Sequence, residues 1–276
     1  MNSSTTRAIC WGSPATEAGH NHNGEDKLVG KLLLRGLLVG LLAGLIAFGF
    51  ARVFGEPSVD SAIAFEELMA AAEPADPNAV EEPPLVSREV QASGGLMTGI
   101  VVLSMGLGGL FSILFALANG RMGRMTPQQT SVVLAALCFL TVSLVPWLKY
   151  PASPPASTFD DTIAFRSSVY FLMLALSVAV TVGAWMLRQN LLARYGNWNA
   201  SVIAAIAYVL VHFVFYLIMP TINETPEGFP ASTMWDFRMA SIGIHAVMWG
   251  VIGVVFGVVV ERTMTIASPA PRRVAA

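Results

Sequence analysis

The sequence predicts an all-α integral membrane protein with six transmembrane helices, and three observations carry that prediction. Six apolar stretches occur, at roughly 32–51, 94–118, 131–148, 169–187, 200–219 and 239–260. Each is close to the 20 residues that a helix, rising about 1.5 Å per residue, needs to cross a hydrocarbon core of about 30 Å. The chain is 54% hydrophobic and 12% charged, whereas a soluble domain carries about 25% charge. Finally, the charges segregate along the chain in the way that lipid topology demands.

Residues 1–31 form a polar tail, and 1–26, with Gly, Asn, Ser and Thr, is expected to be disordered. Its segment GHNHNGED (19–26) holds His20 and His22 beside Glu25 and Asp26. That group could bind metal weakly, but a plain solvated tail is the favoured reading. The first apolar stretch is too long and too late for a secretory signal, so it reads as a retained helix. Arg35 lies near its boundary and can snorkel to the surface.

Residues 32–261 form the membrane domain, with three acidic loops expected outside at 52–93, 149–168 and 220–238. The part of the first loop from 70 to 84 (AAAEPADPNAVEEPP) reads as a flexible spacer. Residues 262–276 form a second short tail. Cys10 sits in the polar tail and Cys138 within a span, which argues against a disulfide framework.

Orientation follows from the basic residues. With both termini cytoplasmic, the inside segments carry Arg7, Lys27, Lys31, Arg35, Arg121, Arg124, Arg188, Arg194, Arg262, Arg272 and Arg273. The outside then carries only Arg52, Arg88, Lys149, Arg166 and Arg238. The predicted location is the cytoplasmic (inner) membrane. Most of the acids fall outside: nine from Glu56 to Glu89, then Asp160, Asp161, Glu224, Glu227 and Asp236. An anionic outer face concentrates cations near any entrance there, although a merely solvated surface explains it equally well.

Two stretches about 70 residues apart look alike. TSVVLAAL (130–137) and ASVIAAIA (200–207) each lead to a proline, Pro146 or Pro220. Each then reaches a proline-bearing loop and an aromatic–basic pair, Phe165-Arg166 or Phe237-Arg238. With the first hairpin as a weaker copy, this suggests three parallel two-helix hairpin repeats. Small residues at four-residue spacing mark close helix packing: Gly36, Gly40 and Gly44, then Gly95 and Gly99, then Gly253 and Gly257.

Few side chains in the spans can do chemistry. His212 and His245 fall at similar depth on consecutive antiparallel helices, and neutral imidazole is a good ligand for late first-row divalent metals. The competing reading is that each bonds a carbonyl or hydroxyl within the bundle. The outer rim adds Glu56, Glu66, Asp161, Asn223 and Glu224 as candidate cation contacts. Lys149, Tyr150, Arg166, Glu227, Trp235 and Arg238 are candidates for structuring the loops, and pairing among these groups is the safer reading for many of the acids. No HExxH, P-loop or GxSxG motif is present, so no enzyme is indicated and the chain is not expected to be itself the ATPase of a pump. No haem is expected, and the net charge of −2 gives no reason to expect nucleic acid.

The run LLLRGLLVGLLAGLIAFGFARVFGEPSVDSAIAFEE (32–67), with LVSREVQ (85–91), LKYPASPP (148–155), DTIAFRSSVYF (161–171), INETPEGFP (222–230) and WDFRMASIG (235–243), resembles the cobalt transporter subunit family CbtA. The resemblance covers nearly all of 32–260. It implies uptake of cobalt(II) as the transported ion, a link to cobalamin biosynthesis, and a small single-span partner, CbtB, with a histidine-rich end. The matching positions include Glu56, Pro57, Glu66, Lys149, Asp161, Arg166, Asn223, Glu224, Trp235 and Arg238, with no ligand set to carry over. Family members often have histidines in the first outer loop, whereas 66–84 has none. The family is usually described with five spans, whereas the charge pattern here favours six. The expected function is therefore a membrane subunit of a divalent-metal uptake system, with a homo-oligomer also compatible. The alternative is a non-transporting scaffold that holds a metal-binding partner.

Overall fold

The computed structural model of the protein describes residues 18–72 and 86–267. Cys10, the side chains of the 19–26 segment and most of the 70–84 spacer lie outside what is described. No strand occurs among the described residues. The helices are α1 (Ala18–Phe50), α2 (Glu56–Ala72), α3 (Arg88–Val90), α4 (Leu96–Ala118), α5 (Pro127–Cys138), α6 (Val145–Lys149), α7 (Ile163–Ile218) and α8 (Ala231–Ala267). Wider π-type turns at Ala51–Gly55, Gln91–Gly95 and Phe139–Leu144 join α1 to α2, α3 to α4 and α5 to α6.

Among the described residues, five continuous helical segments are long and apolar enough to cross a membrane: Val29–Ala72, Arg88–Ala118, Pro127–Lys149, Asp160–Ile218 and Ala231–Thr263. Their outward surfaces are apolar, with Leu110, Leu117, Val102 and Leu217 each more than 60% exposed. Lipid, not water, is the solvent that accepts such a surface. The architecture is that of a multi-pass membrane protein.

The fourth segment covers two of the stretches separated on sequence, 169–187 and 200–219. It is 59 residues long, about 88 Å if straight at 1.5 Å per residue. It is not straight. Gly196 has φ 71° and ψ 174°, outside helical space. Across that break Arg188 Nε donates to Ser201 Oγ at 2.9 Å, and the same guanidinium donates to Asn197 Oδ1. Residues 13 apart in a straight helix would be about 20 Å apart, so the two arms fold back on each other.

Two polar stretches prove more helical than the sequence suggests. The helix starts at Ala18, inside the segment read as a disordered tail, because GEDKLVGK feeds directly into the apolar run without a breaker that stops it. Residues 52–72, read as the start of an outer loop, continue the first helix through the 51–55 turn into α2. Pro57 at the start of α2 lacks an N–H and its ring crowds the carbonyl one turn back. The widened turn before it moves that carbonyl aside and lets the helix continue. Pro146 follows the 139–144 turn in the same way.

Packing begins with glycine. A Cβ on Gly36 would strike the Gly108 carbonyl and Ser112, one on Gly40 would strike the backbone of Ser104 and Met105, and one on Gly44 would meet Val101 and Ser104. With no Cβ there, α1 and α4 lie backbone against backbone. On the other side, Gly253 and Gly257 of α8 sit against Ala135, Ser131 and Gln128 of α5. Ser131 Oγ donates to the Gly253 carbonyl at 2.7 Å across that contact. Between the two seams, Phe111, Phe115 and Phe256 are fully buried. The Phe256 ring meets the other two edge-on, at centroid distances of 5.4 and 5.2 Å. Gly99 lies in open space, and Gly95 approaches only Val90 of its own segment.

The α5 end is closed by a capping box. Thr126 Oγ1 accepts from Gln129 N–H, Gln129 Oε1 accepts from Thr126 N–H, and Pro127 occupies the first turn. At the opposite end lie the two proline-bearing loops, 150–162 and 219–230. This proline-loop end carries the polar chemistry.

Candidate functional site

Three hydrogen bonds staple α6 to the end of α7. Tyr216 Oη donates to the Val145 carbonyl at 2.6 Å, Lys149 Nζ donates to the Tyr216 carbonyl at 2.8 Å, and Tyr150 Oη donates to the Pro220 carbonyl at 2.8 Å. The Lys149 contact satisfies one of the carbonyls that a helix C-terminus leaves unpaired. Burial pushes the Tyr150 phenol up from its ordinary value, which keeps it a donor.

Beside this staple opens a cavity of about 450 Å³. Lys149 from α6, Arg166 from α7 and Arg238 from α8 all line it, with His245 and the hydroxyls of Ser143, Tyr150 and Ser241. Among the described residues, no aspartate or glutamate lines it. Arg166 is 3.5 Å from Glu224 Oε2 and also donates to Thr162 Oγ1 at 3.1 Å and the Phe159 carbonyl at 3.1 Å. Glu224 is thereby committed: it also accepts from Thr162 Oγ1 at 2.7 Å and from Phe159 N–H at 3.3 Å. Arg238 has no hydrogen-bond or ionic partner among the described residues, and its Nε is buried.

The two histidines have separate surroundings. His245 Nδ1 lies 3.2 Å from Ser143 Oγ, which also accepts from Trp249 Nε1 at 3.1 Å. His212 is buried, its ring tilted 50° against that of Tyr208 at 4.3 Å between centroids. Its Nδ1 is 2.8 Å from the Tyr208 carbonyl. A carbonyl only accepts, so Nδ1 carries a proton, and in the neutral ring Nε2 presents its lone pair. That Nε2 has no partner among the described residues. An imidazole held by Nδ1–H to a carbonyl is the form in which histidine ligates metals.

The remaining rim residues separate into paired and free groups. Glu56 is buried and takes Arg88 at 2.5 Å, with Arg52 at 3.8 Å; Arg88 also reaches Asp60 at 2.8 Å. Glu66, Asp161, Asn223 and Glu227 are exposed, and Trp235 is 61% exposed. Among the described residues, no three His, Cys, Asp or Glu side chains converge on a point that could hold a metal ion. Ser143, Tyr208, Trp249, Tyr216 and Arg88 all participate in this end of the molecule and were not anticipated from sequence. Arg88 alone had a local signal, as the one base among the nine acids between Glu56 and Glu89 other than Arg52 at its edge.

No curated protein and no solved structure matches the chain. A family model does match, the one described as probable cobalt transporter subunit (CbtA), over residues 29–261. That family is one of transporter subunits, so the chain is a component of a multi-part system and not an enzyme. Helices that span a membrane several times, joined at one end by a polar cavity and capped by proline loops, are the architecture on which that match falls: the chain belongs to the CbtA family of cobalt transporter subunits.

Proposed function

We propose that the chain is the membrane subunit through which cobalt(II) enters the cell in support of cobalamin biosynthesis. The observation that carries this reading is the family match across the whole helical domain. The chain sits in the inner membrane with both termini inside and the proline-loop end outside, as the basic residues favour. The two arms of α7 count as separate crossings, giving six, and the hairpins act as parallel repeats. Hydrated cations collect at the exposed acids Glu66, Asp161 and Glu227, beside Asn223, and pass between the helices past Glu224. His212, with its bare Nε2, and His245, at the cavity wall, are the contacts within the helices. Glu56 serves the same entrance by holding Arg88 and so shaping the rim.

The membrane potential alone favours inward movement of a divalent ion by about 4.6 kcal/mol per 100 mV, twice the single-charge figure. A CbtB-like single-span partner would supply the histidines that 66–84 lacks. In cells without other importers, His212→Ala combined with His245→Ala is expected to abolish accumulation of radioactive cobalt, with nickel measured in parallel. Unchanged uptake would remove both residues from the pathway.

One observation favours a second reading: the described residues hold no converging set of metal ligands. On that reading the chain is a scaffold for a metal-binding partner. Its glycine seams are already filled within the chain, so the partner would need another face. Vesicles containing the purified chain, with and without the partner, separate the two readings by whether cobalt enters.

A further inference from the structure

The basic cavity poses a problem that transport of a bare cation does not solve. Three positive side chains, from three different helices, face one space of about 450 Å³ with no carboxylate in its lining among the described residues. A space of that size is within the range of small-molecule sites, about 300–1,000 Å³. Among the described residues, Arg166 alone of the three has a counter-charge, Glu224. Lys149 gives a hydrogen bond to a neutral carbonyl, which leaves its charge uncompensated. Arg238 gives none, and its buried Nε lacks any acceptor among the described residues. A buried donor without an acceptor, on a group that stays charged at any physiological pH, is costly unless something else fills the role.

The missing acceptor can be described chemically. An anion suits it, because two positive charges without a counter-charge among the described residues face it. It must offer several oxygens, because the donors come from separated helices and include a planar guanidinium, which matches carboxylate and phosphate oxygens two at a time. The hydroxyls of Tyr150 and Ser241 add neutral contacts. We infer that this cavity is a binding site for an oxyanion, a carboxylate- or phosphate-bearing small molecule or headgroup, held by Arg238 and Lys149, with Arg166 fixed at its edge by Glu224. The inference does not depend on which metal is carried. It does mean that a free divalent ion would be repelled from this cavity until the anion is seated.

The test uses the full chain in phosphatidylcholine nanodiscs, titrated calorimetrically with inorganic phosphate and with citrate at constant ionic strength. Saturable binding of at least one is expected, weakened at least tenfold by Arg238→Gln and by Lys149→Gln. Arg238→Lys is expected to retain part of it, and Arg124→Gln, an exposed base at the other end, all of it. If the occupant is a headgroup, the soluble anions will not bind, but wild-type protein purified from cells will retain phosphatidylglycerol, seen by native mass spectrometry, and Arg238→Gln will lose it. Should a Gln variant fail to fold, thermal melting of the wild-type chain decides: citrate, phosphate or phosphatidylglycerol is expected to raise its melting temperature beyond what chloride does. Absence of anion binding, of lipid retention and of any such stabilisation would overturn the site, as would binding that Arg238→Gln and Lys149→Gln leave unchanged in folded protein.

Discussion

The α1–α4 pair and the α7 hairpin are both made of apolar helices, yet they hold together by opposite means. Along α1 and α4, glycines bring two backbones into contact, and a third of the apolar window on each is buried. In α7 only 11% of the window is buried. Its glycine at 183 faces open space, and its arms are joined by Arg188 to Ser201 and Asn197 near the break. The first pair is fixed by shape along its length. The second is held by polar contacts at a few points: the Arg188 bonds at the break, Ser177 and Thr181 to Thr141 along the first arm, and the Lys149–Tyr216 and Tyr150–Pro220 staple to α6 at the far end of the second. Similar hydropathy therefore conceals a rigid scaffold and a more loosely held hairpin.

The contrast can be broken most severely at Gly40. Gly40→Leu would drive a side chain into the backbone of Ser104 and Met105, which cannot rotate away. Overpacking usually costs about 1–3 kcal/mol, and backbone obstruction places this variant at or beyond the upper end. A large loss of monodisperse protein by size-exclusion chromatography is expected, while Gly183→Leu in α7 should elute like the wild type. Equal behaviour of the two variants would erase the distinction.

A smaller effect is expected at the rim. Glu56 is buried and accepts from Arg88 at 2.5 Å, and hydrogen bonds to charged groups contribute about 1.5–3 kcal/mol. Glu56→Gln should lower the melting temperature clearly, whereas Glu66→Gln, at an exposed position without an ion pair, should leave it unchanged. The smallest effect concerns the hairpin break. Gly196→Ala forces a side chain into an extended positive-φ conformation, φ 71° and ψ 174°, that essentially only glycine adopts, at a local cost of about 1–3 kcal/mol. It should speed hydrogen exchange around 190–202 while leaving the α1–α4 seam as protected as before.

Much of the fold was legible because lipid imposes it. Every apolar stretch found in the sequence lies within one of the five long helices, and even the turn at Gly196 falls between two of those stretches. The helical continuation to Ala72 was less legible, since Pro57 and five nearby acids argue for a loop and only the widened turn before Pro57 reverses that. The site was least legible. Lys149 appears in the sequence as a base beside a proline loop, and Arg166 and Arg238 as the second members of two aromatic–basic pairs. Nothing local reveals that three helices bring them to one cavity, that Glu224 goes to Arg166, or that Arg238 is left without a counter-charge. His212 and His245 were visible as rare polar groups in apolar runs. Their hydrogen bonds to a carbonyl and to a hydroxyl come from tertiary placement.

The turns at 51–55 and 91–95 lie side by side, and Arg52 Nη1 donates to the Ala92 carbonyl at 3.1 Å between them. Each is a level at which the regular hydrogen-bond ladder is interrupted. Two such interruptions at equal height, cross-linked by one guanidinium, form a common joint. Above it α2 docks on the far end, with Ala62 and Phe65 against Phe229 and Met234, and below it runs the glycine-sealed shaft.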